Sequence, residues 1–212
     1  MLIDLYSDTK TLPTAAMRRA IAEAVVGDEQ KDEDPTVSRL QAMVAELLGK
    51  EAALFLPSGT MCNAIAVKAH TRPGDAIIAD RQAHLFASEA GGAAFHSGVL
   101  VKLLDGARGI FTPEQVAEEI TPGSHYVAPT RLLCVEQTHN FGGGTIWPLD
   151  RLNAVCEVAH AHGLATHMDG ARLLNAVVAS GISAREYCAG CDSAWLDLSK
   201  GLGAPVGAVL AG

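Results

Sequence analysis

Apolar residues recur along this chain with two alternating spacings, which predict helices and strands in turn from about residue 35 onward. Residues 37–48 carry apolar side chains at the period of a helix, and Gly49 marks the end of that helix. Short continuous apolar runs follow, as is typical of strands that are covered on both faces. These runs lie at residues 53–56, 76–79, 99–104, 132–135, 164–168 and 194–198, with a further one at 206–210.

Helical patterns fill the intervals between the apolar runs. They predict helices at residues 15–26, 61–70, 113–120, 149–162 and 173–179. Strands that alternate with helices imply an α/β fold with a mostly parallel central sheet flanked by helices on both faces. We therefore expect residues 37–212 to form one large domain and residues 1–36 to form an N-terminal segment with a helix.

Composition and charge exclude several classes of partner. Of 212 residues, 49% are hydrophobic and 19% are charged, which is typical of a well-buried globular protein. A net charge of −8 without a basic run argues against binding to nucleic acid. No apolar stretch is long enough to span a bilayer, and the first residues lack the basic region of a secretory signal. We expect a cytoplasmic protein with no nucleic-acid and no membrane partner.

The cysteines fit the same compartment. There are five, and most lie within apolar patterns, which favours buried thiols over a disulfide framework. Cys188 and Cys191 have the CxxC spacing, but no second pair and no suitably spaced histidine would complete a zinc site. No GxxxxGK followed by Ser or Thr occurs. We therefore predict neither a metal site nor a P-loop.

Candidate chemistry lies at the ends of three predicted strands. Lys200 follows the strand at 194–198, and Asp169 follows the strand at 164–168. Ser58-Gly59-Thr60 lies at the start of a predicted helix, where backbone N–H groups and hydroxyls bind anions. Because ligands bind at the carboxyl ends of parallel strands, the three segments can converge. They supply the amine, the acid for the ring nitrogen and the phosphate site that pyridoxal phosphate (PLP) requires, although each alone could be a solvated lysine or an ordinary cap.

Seven separated motifs place the chain near a known family. They are IDLYSDT (3–9), EDPT (33–36), PSGTM (57–61), EAGGA (89–93), THN (138–140), HMDGAR (167–172) and LSKGLGAPVG (198–207). Together, in this order and over essentially the whole chain, they resemble the PLP-dependent L-threonine aldolases of fold-type I, the aspartate-aminotransferase-like group. The resemblance implies reversible cleavage of L-threonine or L-allo-threonine to glycine and acetaldehyde, usually by a homotetramer.

The resemblance also implies which residues hold the cofactor. Lys200 would form the Schiff base with PLP, and Asp169 would pair with the pyridine nitrogen. Ser58, Gly59 and Thr60 would hold the phosphate. Residues 37–212 would then be the PLP-binding large domain.

Further roles implied by the resemblance concern the substrate, a small β-hydroxy amino acid. His84 would stack on the pyridine face, and either His84 or His125 would be the base for the substrate hydroxyl. Ser7 would bind the substrate carboxylate, and His125 would line the substrate end. Arg172 would contact the phenolic oxygen of the cofactor or the substrate carboxylate. Without the resemblance, Ser7 could equally be a cap, and the two histidines could be loop residues.

Two features depart from the family pattern. Lys31 and Asp32 stand where the family usually has Tyr-Gly, so a tyrosine that lines the site is missing. Family members also continue into a smaller C-terminal domain, with a carboxylate-binding arginine, that is absent from this chain. A short product, a fragment or a split chain would each account for an end at Gly212.

Assembly and rival functions follow from the same resemblance. We expect residues 1–36 to reach across a subunit interface, placing Ser7 and residues 33–35 near a site of a homodimer at minimum, more specifically a dimer of dimers. The enzymatic alternative is a β-eliminating PLP lyase on the same fold, which releases ammonia and a keto acid. The non-enzymatic alternative is a truncated PLP-fold subunit without catalytic activity.

Overall fold

A seven-stranded sheet forms the centre of the computed structural model, which describes residues 3–212. The strands are β1 (Ala53–Leu56), β2 (Ala76–Asp80), β3 (Leu100–Leu104), β4 (Thr130–Glu136), β5 (Ala165–Gly170), β6 (Ser193–Asp197) and β7 (Ala208–Ala211). Their order is β1-β7-β6-β5-β4-β2-β3, and among these strands β7 alone runs in the opposite direction. The prediction of a mostly parallel sheet is confirmed.

Helices cover both faces of the sheet. They are α1 (Ala15–Glu23), α2 (Pro35–Leu48), α3 (Gly59–His70), α4 (His84–Ala87), α5 (Gly92–Ser97), α6 (Pro113–Glu119), α7 (Leu149–Ala161), α8 (Leu173–Ser180) and α9 (Ala184–Cys188). Successive residues of β2 enter different hydrophobic clusters, since Ile78 belongs to one and Ile77 and Ala79 to the other. This alternation is what a strand covered on both faces requires.

Local capping explains where the well-predicted helix α2 begins and ends. The Asp34 carboxylate accepts hydrogen bonds from the backbone N–H groups of Thr36 and Val37, both at 2.9 Å, and Pro35 occupies the first turn. At the other end the helix stops at Gly49, as the sequence predicted, and Gly49 adopts a left-handed conformation with φ of 68°. In the described part of the chain, no helix is long and apolar enough to cross a membrane.

The N-terminal segment differs from the prediction at the end of its helix. Helix α1 ends at Glu23 and not at residue 26, because the backbone of Ala24 is extended, with ψ of 136°. Beyond this end the Thr36 hydroxyl donates to the carbonyl of Val25 at 2.6 Å. The segment also packs against the end of its own sheet, where the Thr11 hydroxyl donates to the carbonyl of Lys200 at 2.7 Å. This contact lies within one chain, and the expectation that residues 1–36 also reach across a subunit interface stays a prediction. Residues 1–2 lie outside the described residues.

Candidate active site

A polar cavity of about 770 Å³ opens at the edge of the sheet where the parallel strands end. Its volume is in the range of small-molecule sites. Most of the residues predicted for the site line this cavity, namely Ser7, Ser58, Gly59, Thr60, His84, Asp169, Arg172 and Lys200. Because β1, β2, β5 and β6 all run toward this edge, residues far apart in the sequence meet there.

The predicted Schiff-base lysine lies in the loop after β6 and is mostly buried. Lys200 Nζ donates to Asp197 Oδ2 at 2.7 Å, and this nitrogen also lies 5.6 Å from the centre of the Trp195 ring. The other oxygen of Asp197 accepts from the backbone N–H of Ser199 at 2.7 Å. The carboxylate at the end of β6 therefore fixes the start of the lysine loop and directs the amine.

Asp169 is a buried carboxylate at the end of β5. Its Oδ2 accepts a hydrogen bond from Asn63 Nδ2 at 2.9 Å, and its Oδ1 accepts from the backbone N–H of Ala171 at 3.1 Å. Burial, followed by repulsion from Glu136, raises the pKa of Asp169 to about 7. A carboxylate in such surroundings is favourable in its charged form only beside a cation.

His84 begins α4 and is held by two carboxylates. Its Nδ1 lies 2.9 Å from Glu89 Oε1, and its backbone N–H donates to Glu136 Oε2 at 2.6 Å. Because Glu89 is an acceptor, Nδ1 carries a proton and Nε2 is the ring nitrogen that can accept one. The hydrogen bond to Glu89, opposed by burial, raises the pKa of His84 above its ordinary value.

The predicted phosphate site is the start of α3. Ser58 is the N-cap of this helix, and its hydroxyl accepts from the backbone N–H of Met61 at 3.3 Å. Gly59 lies directly against the Trp195 indole, so an added Cβ would overlap the ring. The serine-cap interpretation is therefore correct, and it is compatible with an anion at the same helix end. That Ser58, Gly59 and Thr60 hold a phosphate stays a prediction.

Arg172 and Ser7 are joined through the N-terminal segment. The Arg172 guanidinium makes two hydrogen bonds to the Asp8 carboxylate, at 2.6 and 2.8 Å. The hydrogen bond from Arg172 holds the pKa of Asp8 below its usual value. Ser7 caps the short turn that carries Asp8, accepting from the backbone N–H of Thr9 at 3.2 Å. Both residues line the cavity, while their contacts with a substrate stay predictions.

His125 is the predicted residue that one chain does not bring to the cavity. It is exposed, in the connection between α6 and β4, and its ring lies edge-on to Tyr126 with 6.5 Å between ring centres. This connection precedes β4, whereas the cavity lies beyond the end of that strand, and seven strand residues span roughly 20 Å. Within a single chain His125 therefore lies away from the cavity, and that it lines the substrate end stays a prediction. Only a neighbouring subunit could place it there.

Five polar residues that hold the site together were not predicted from the sequence. They are Asp8, Asn63, Glu89, Glu136 and Asp197. Asp8 and Glu89 lie inside motifs that carried the resemblance, and Asp197 interrupts an apolar strand. Asn63 lies at a helix position that the apolar period assigns to the core. A polar residue at a core position was the available signal, because buried polar groups need partners.

The cavity also brings possible metal ligands together. His84, Glu89 and Asp169 place one ligand atom each within 4.8 Å of one another. Hydrogen bonds account for this closeness, since His84 contacts Glu89 and the Asn63 amide bridges Glu89 and Asp169. We therefore interpret these side chains as a hydrogen-bonded cluster.

The donor groups of the cavity fit PLP. Lys200 offers an amine, and Asp169 offers a buried carboxylate that requires a cation, which a protonated pyridine nitrogen would supply. The start of α3, with Ser58 and Thr60, favours a phosphate group. These residues would hold the two ends and the reactive carbon of the cofactor.

Comparisons with known proteins agree with the geometry. The family model described as beta-eliminating lyase matches residues 4–212. The low specificity L-threonine aldolase of Escherichia coli K12 is 44% identical over 212 residues, which are 100% of this chain and 63% of that protein. Low-specificity L-threonine aldolase 1 of Arabidopsis thaliana is 42% identical, over 99% of this chain and 60% of that protein. A solved threonine aldolase structure from Leishmania major shares the fold, with a TM-score of 0.80, 22% identity and coverage of 96% of this chain and 60% of that one.

Proposed function

The chain belongs to the beta-eliminating lyase family, and from this premise we propose that it is the cofactor-binding part of a PLP-dependent threonine aldolase. The proposed reaction is the cleavage of L-threonine or L-allo-threonine to glycine and acetaldehyde. The chain spans 63% of the E. coli relative and 60% of the Arabidopsis relative that carry this name. The activity of the whole protein is therefore inferred from the site and from these relatives.

One observation carries the proposal: Lys200, Asp169 and His84 line the same cavity at the carboxyl edge of the sheet. When bound, PLP supplies an electron sink for the charge that develops at the substrate Cα. Lys200 provides the amine that anchors the cofactor. Asp169 holds a proton on the ring nitrogen, because its buried carboxylate favours a cation beside it.

His84 is the proposed base for the substrate hydroxyl. Its Nδ1 proton is committed to Glu89, which leaves Nε2 to take the proton from the β-hydroxyl group. Loss of that proton turns the β-carbon into the aldehyde carbon of acetaldehyde as the bond between Cα and Cβ breaks. The Cα fragment becomes glycine when it receives a proton.

Arg172 and Ser7 are the proposed contacts for the substrate carboxylate. Both line the cavity, and the Arg172 guanidinium is kept in place by its two hydrogen bonds to Asp8. A guanidinium held in this way presents its remaining N–H groups in a fixed direction, which favours planar carboxylates.

A product assay tests the proposal against the second candidate, a β-eliminating lyase, which the family description favours. The purified protein is incubated with PLP and L-threonine, and then with L-serine. Glycine and acetaldehyde are expected from threonine. Ammonia and a keto acid would instead identify a β-eliminating lyase, and no turnover by a protein that retains PLP would support a non-catalytic subunit.

We also propose that the protein is a cytoplasmic homo-oligomer, most simply a dimer of dimers. Apolar side chains of the N-terminal segment are largely exposed in one chain, among them Leu5 at 91% and Tyr6 at 84%, and a neighbouring subunit would cover them. Such a subunit could also supply His125. The five cysteines are buried free thiols, which suits a reducing compartment.

A further inference from the structure

Asn63 is a fully buried amide in the middle of α3, and all of its hydrogen-bonding groups are used. Its Nδ2 donates to Glu89 Oε1 at 2.8 Å and to Asp169 Oδ2 at 2.9 Å. Its Oδ1 accepts from Trp195 Nε1 at 2.8 Å and from His167 Nε2 at 3.2 Å. An amide can make two donor and two acceptor contacts, so this side chain is saturated.

The orientation of the Asn63 amide is fixed by its neighbours. Trp195 can only donate through Nε1, whereas Glu89 and Asp169 in their charged forms can only accept. In a flipped amide, the N–H groups would face the Trp195 donor, and the oxygen would face the two carboxylates. The observed arrangement holds two buried carboxylates at a fixed separation through the two hydrogens of one nitrogen atom.

Glu89 transmits this arrangement to the proposed base. The oxygen of Glu89 that accepts from Asn63, Oε1, is also the atom that lies 2.9 Å from His84 Nδ1. His84 is partly exposed toward the cavity, while the Glu89 side chain is almost completely buried at 2% exposure. The position of one buried oxygen therefore decides both the tilt of the His84 ring and which of its nitrogens carries the proton.

We propose that Asn63 is a positioning residue of this site, whose amide nitrogen holds Glu89 in place and thereby keeps the proton of neutral His84 on Nδ1. The same nitrogen also donates a hydrogen bond to the carboxylate of Asp169. The proposal deepens the proposed function and rests on it for the meaning of His84, but its test needs neither cofactor nor turnover. Charged groups that face His84 are Glu89, Glu136 and Asp169, and the cations of Lys200 and Arg172 line the same cavity.

Histidine NMR on the cofactor-free protein tests the proposal. The His84 resonances, identified by their loss in His84→Gln, report both the titration midpoint of the ring and the nitrogen that carries its proton. Glu89→Gln removes the charged acceptor and is expected to lower the proton affinity of His84 by about tenfold. Asn63→Leu, which keeps the size but cannot donate, is expected to lower it by at least about threefold, because Glu89 is no longer held.

The double variant shows whether Asn63 acts through Glu89. Asn63→Leu combined with Glu89→Gln should give the same His84 midpoint as Glu89→Gln alone. The matched control is Ser193→Ala, which removes a buried hydroxyl that contacts His167 Nδ1 at 2.8 Å but contacts neither carboxylate. That control should leave the His84 midpoint at the wild-type value.

Two outcomes would overturn the proposal. One is an unchanged midpoint and proton position of His84 in Asn63→Leu, together with the expected fall in Glu89→Gln. The other is an equal shift in Ser193→Ala, which would show that any buried polar loss in this region acts in the same way. Should Asn63→Leu not fold, Asn63→Ser carries the same test, since its hydroxyl is too short to bridge both carboxylates. Failure of the threonine assay would leave these titrations unaffected, so the two failures are distinguishable.

Discussion

Replacing Asp169 by Asn should make the cofactor-free protein more stable against alkaline pH while it impairs the proposed reaction. Burial and the neighbouring Glu136 raise the pKa of Asp169 from 3.8 to about 7 in the folded chain. The folded state therefore binds this proton more tightly than the unfolded state does. The free energy of unfolding of the wild type must fall as the pH rises from about 4 to about 7.

The magnitude follows from the two pKa values. Each pKa unit corresponds to ~1.4 kcal/mol, so ionised Asp169 costs the cofactor-free fold roughly 4 kcal/mol above pH 7. At about pH 5 the cost is only about 1.5 kcal/mol, because the folded carboxyl is still protonated. Asp169→Asn removes this titration, so about 2 to 3 kcal/mol of the decline between about pH 5 and about pH 8 should disappear.

Urea unfolding of both proteins at the two pH values, without PLP, measures this difference. In Asp169→Asn, the side-chain amide nitrogen faces one of the two N–H donors that bind Asp169, which destabilises the fold. This cost is the same at both pH values, so comparing the change with pH removes it. Asp192→Asn is the control, because hydrogen bonds from Thr166 and His160 outweigh burial and lower the pKa of Asp192. The stabilising contribution of Asp192 is lost only as the pH falls below its unfolded pKa, so it is complete at both pH values. This control should leave the decline between about pH 5 and about pH 8 as in the wild type.

The expected titration is contradicted if the pH curves of wild type and Asp169→Asn are parallel, with changes between the two pH values that differ by less than about 0.5 kcal/mol. Such curves would mean that Asp169 is ionised at no cost in the folded chain.

With PLP bound, the same substitution should lower the rate of threonine cleavage at least about tenfold, since a charge-assisted hydrogen bond to the ring nitrogen is lost. Unchanged turnover with PLP bound would show that another group protonates the ring.

Two further substitutions test the packing of the site. Gly59→Ala should lower the free energy of unfolding by about 1 to 3 kcal/mol and weaken PLP binding, because its Cβ would overlap Trp195. Gly92→Ala is the matched control, with His96 at 3.8 Å as its nearest contact, and equal losses in both would contradict the argument. Asp8→Asn should lower the free energy of unfolding by about 1 kcal/mol by breaking the paired contact with Arg172. Asp4→Asn, whose partner Lys10 is exposed, should have a far smaller effect, and an equal loss would show that the Arg172 contact is not special.

The sequence predicted the sheet well, because strands covered on both faces leave continuous apolar runs. It did not predict that β7 runs against its neighbours, since the direction of a strand leaves no mark on its hydrophobic pattern. The helices α4, α5 and α9 were also missed. They have four, six and five residues, which is too short for a helical period to stand out.

The sequence predicted the residues that would touch the cofactor. It predicted less well the residues that hold those side chains in place. Lys200 and Asp169 follow recognisable strands, so topology alone brings them together. The pairing of His84 with Glu89, and of both carboxylates with Asn63, depends on how α3 and α4 pack over the sheet end. Hydrophobic spacing carries no information about such contacts between side chains.

The proposed function depends most directly on Lys200 being the amine that binds PLP in this cavity. Reduction of the PLP-loaded protein with borohydride, followed by peptide mass spectrometry, tests it directly because the reduced link survives digestion. A single pyridoxyl group is expected on Lys200, and none is expected in Lys200→Ala. A label on another lysine, or an equal label in Lys200→Ala, would contradict it.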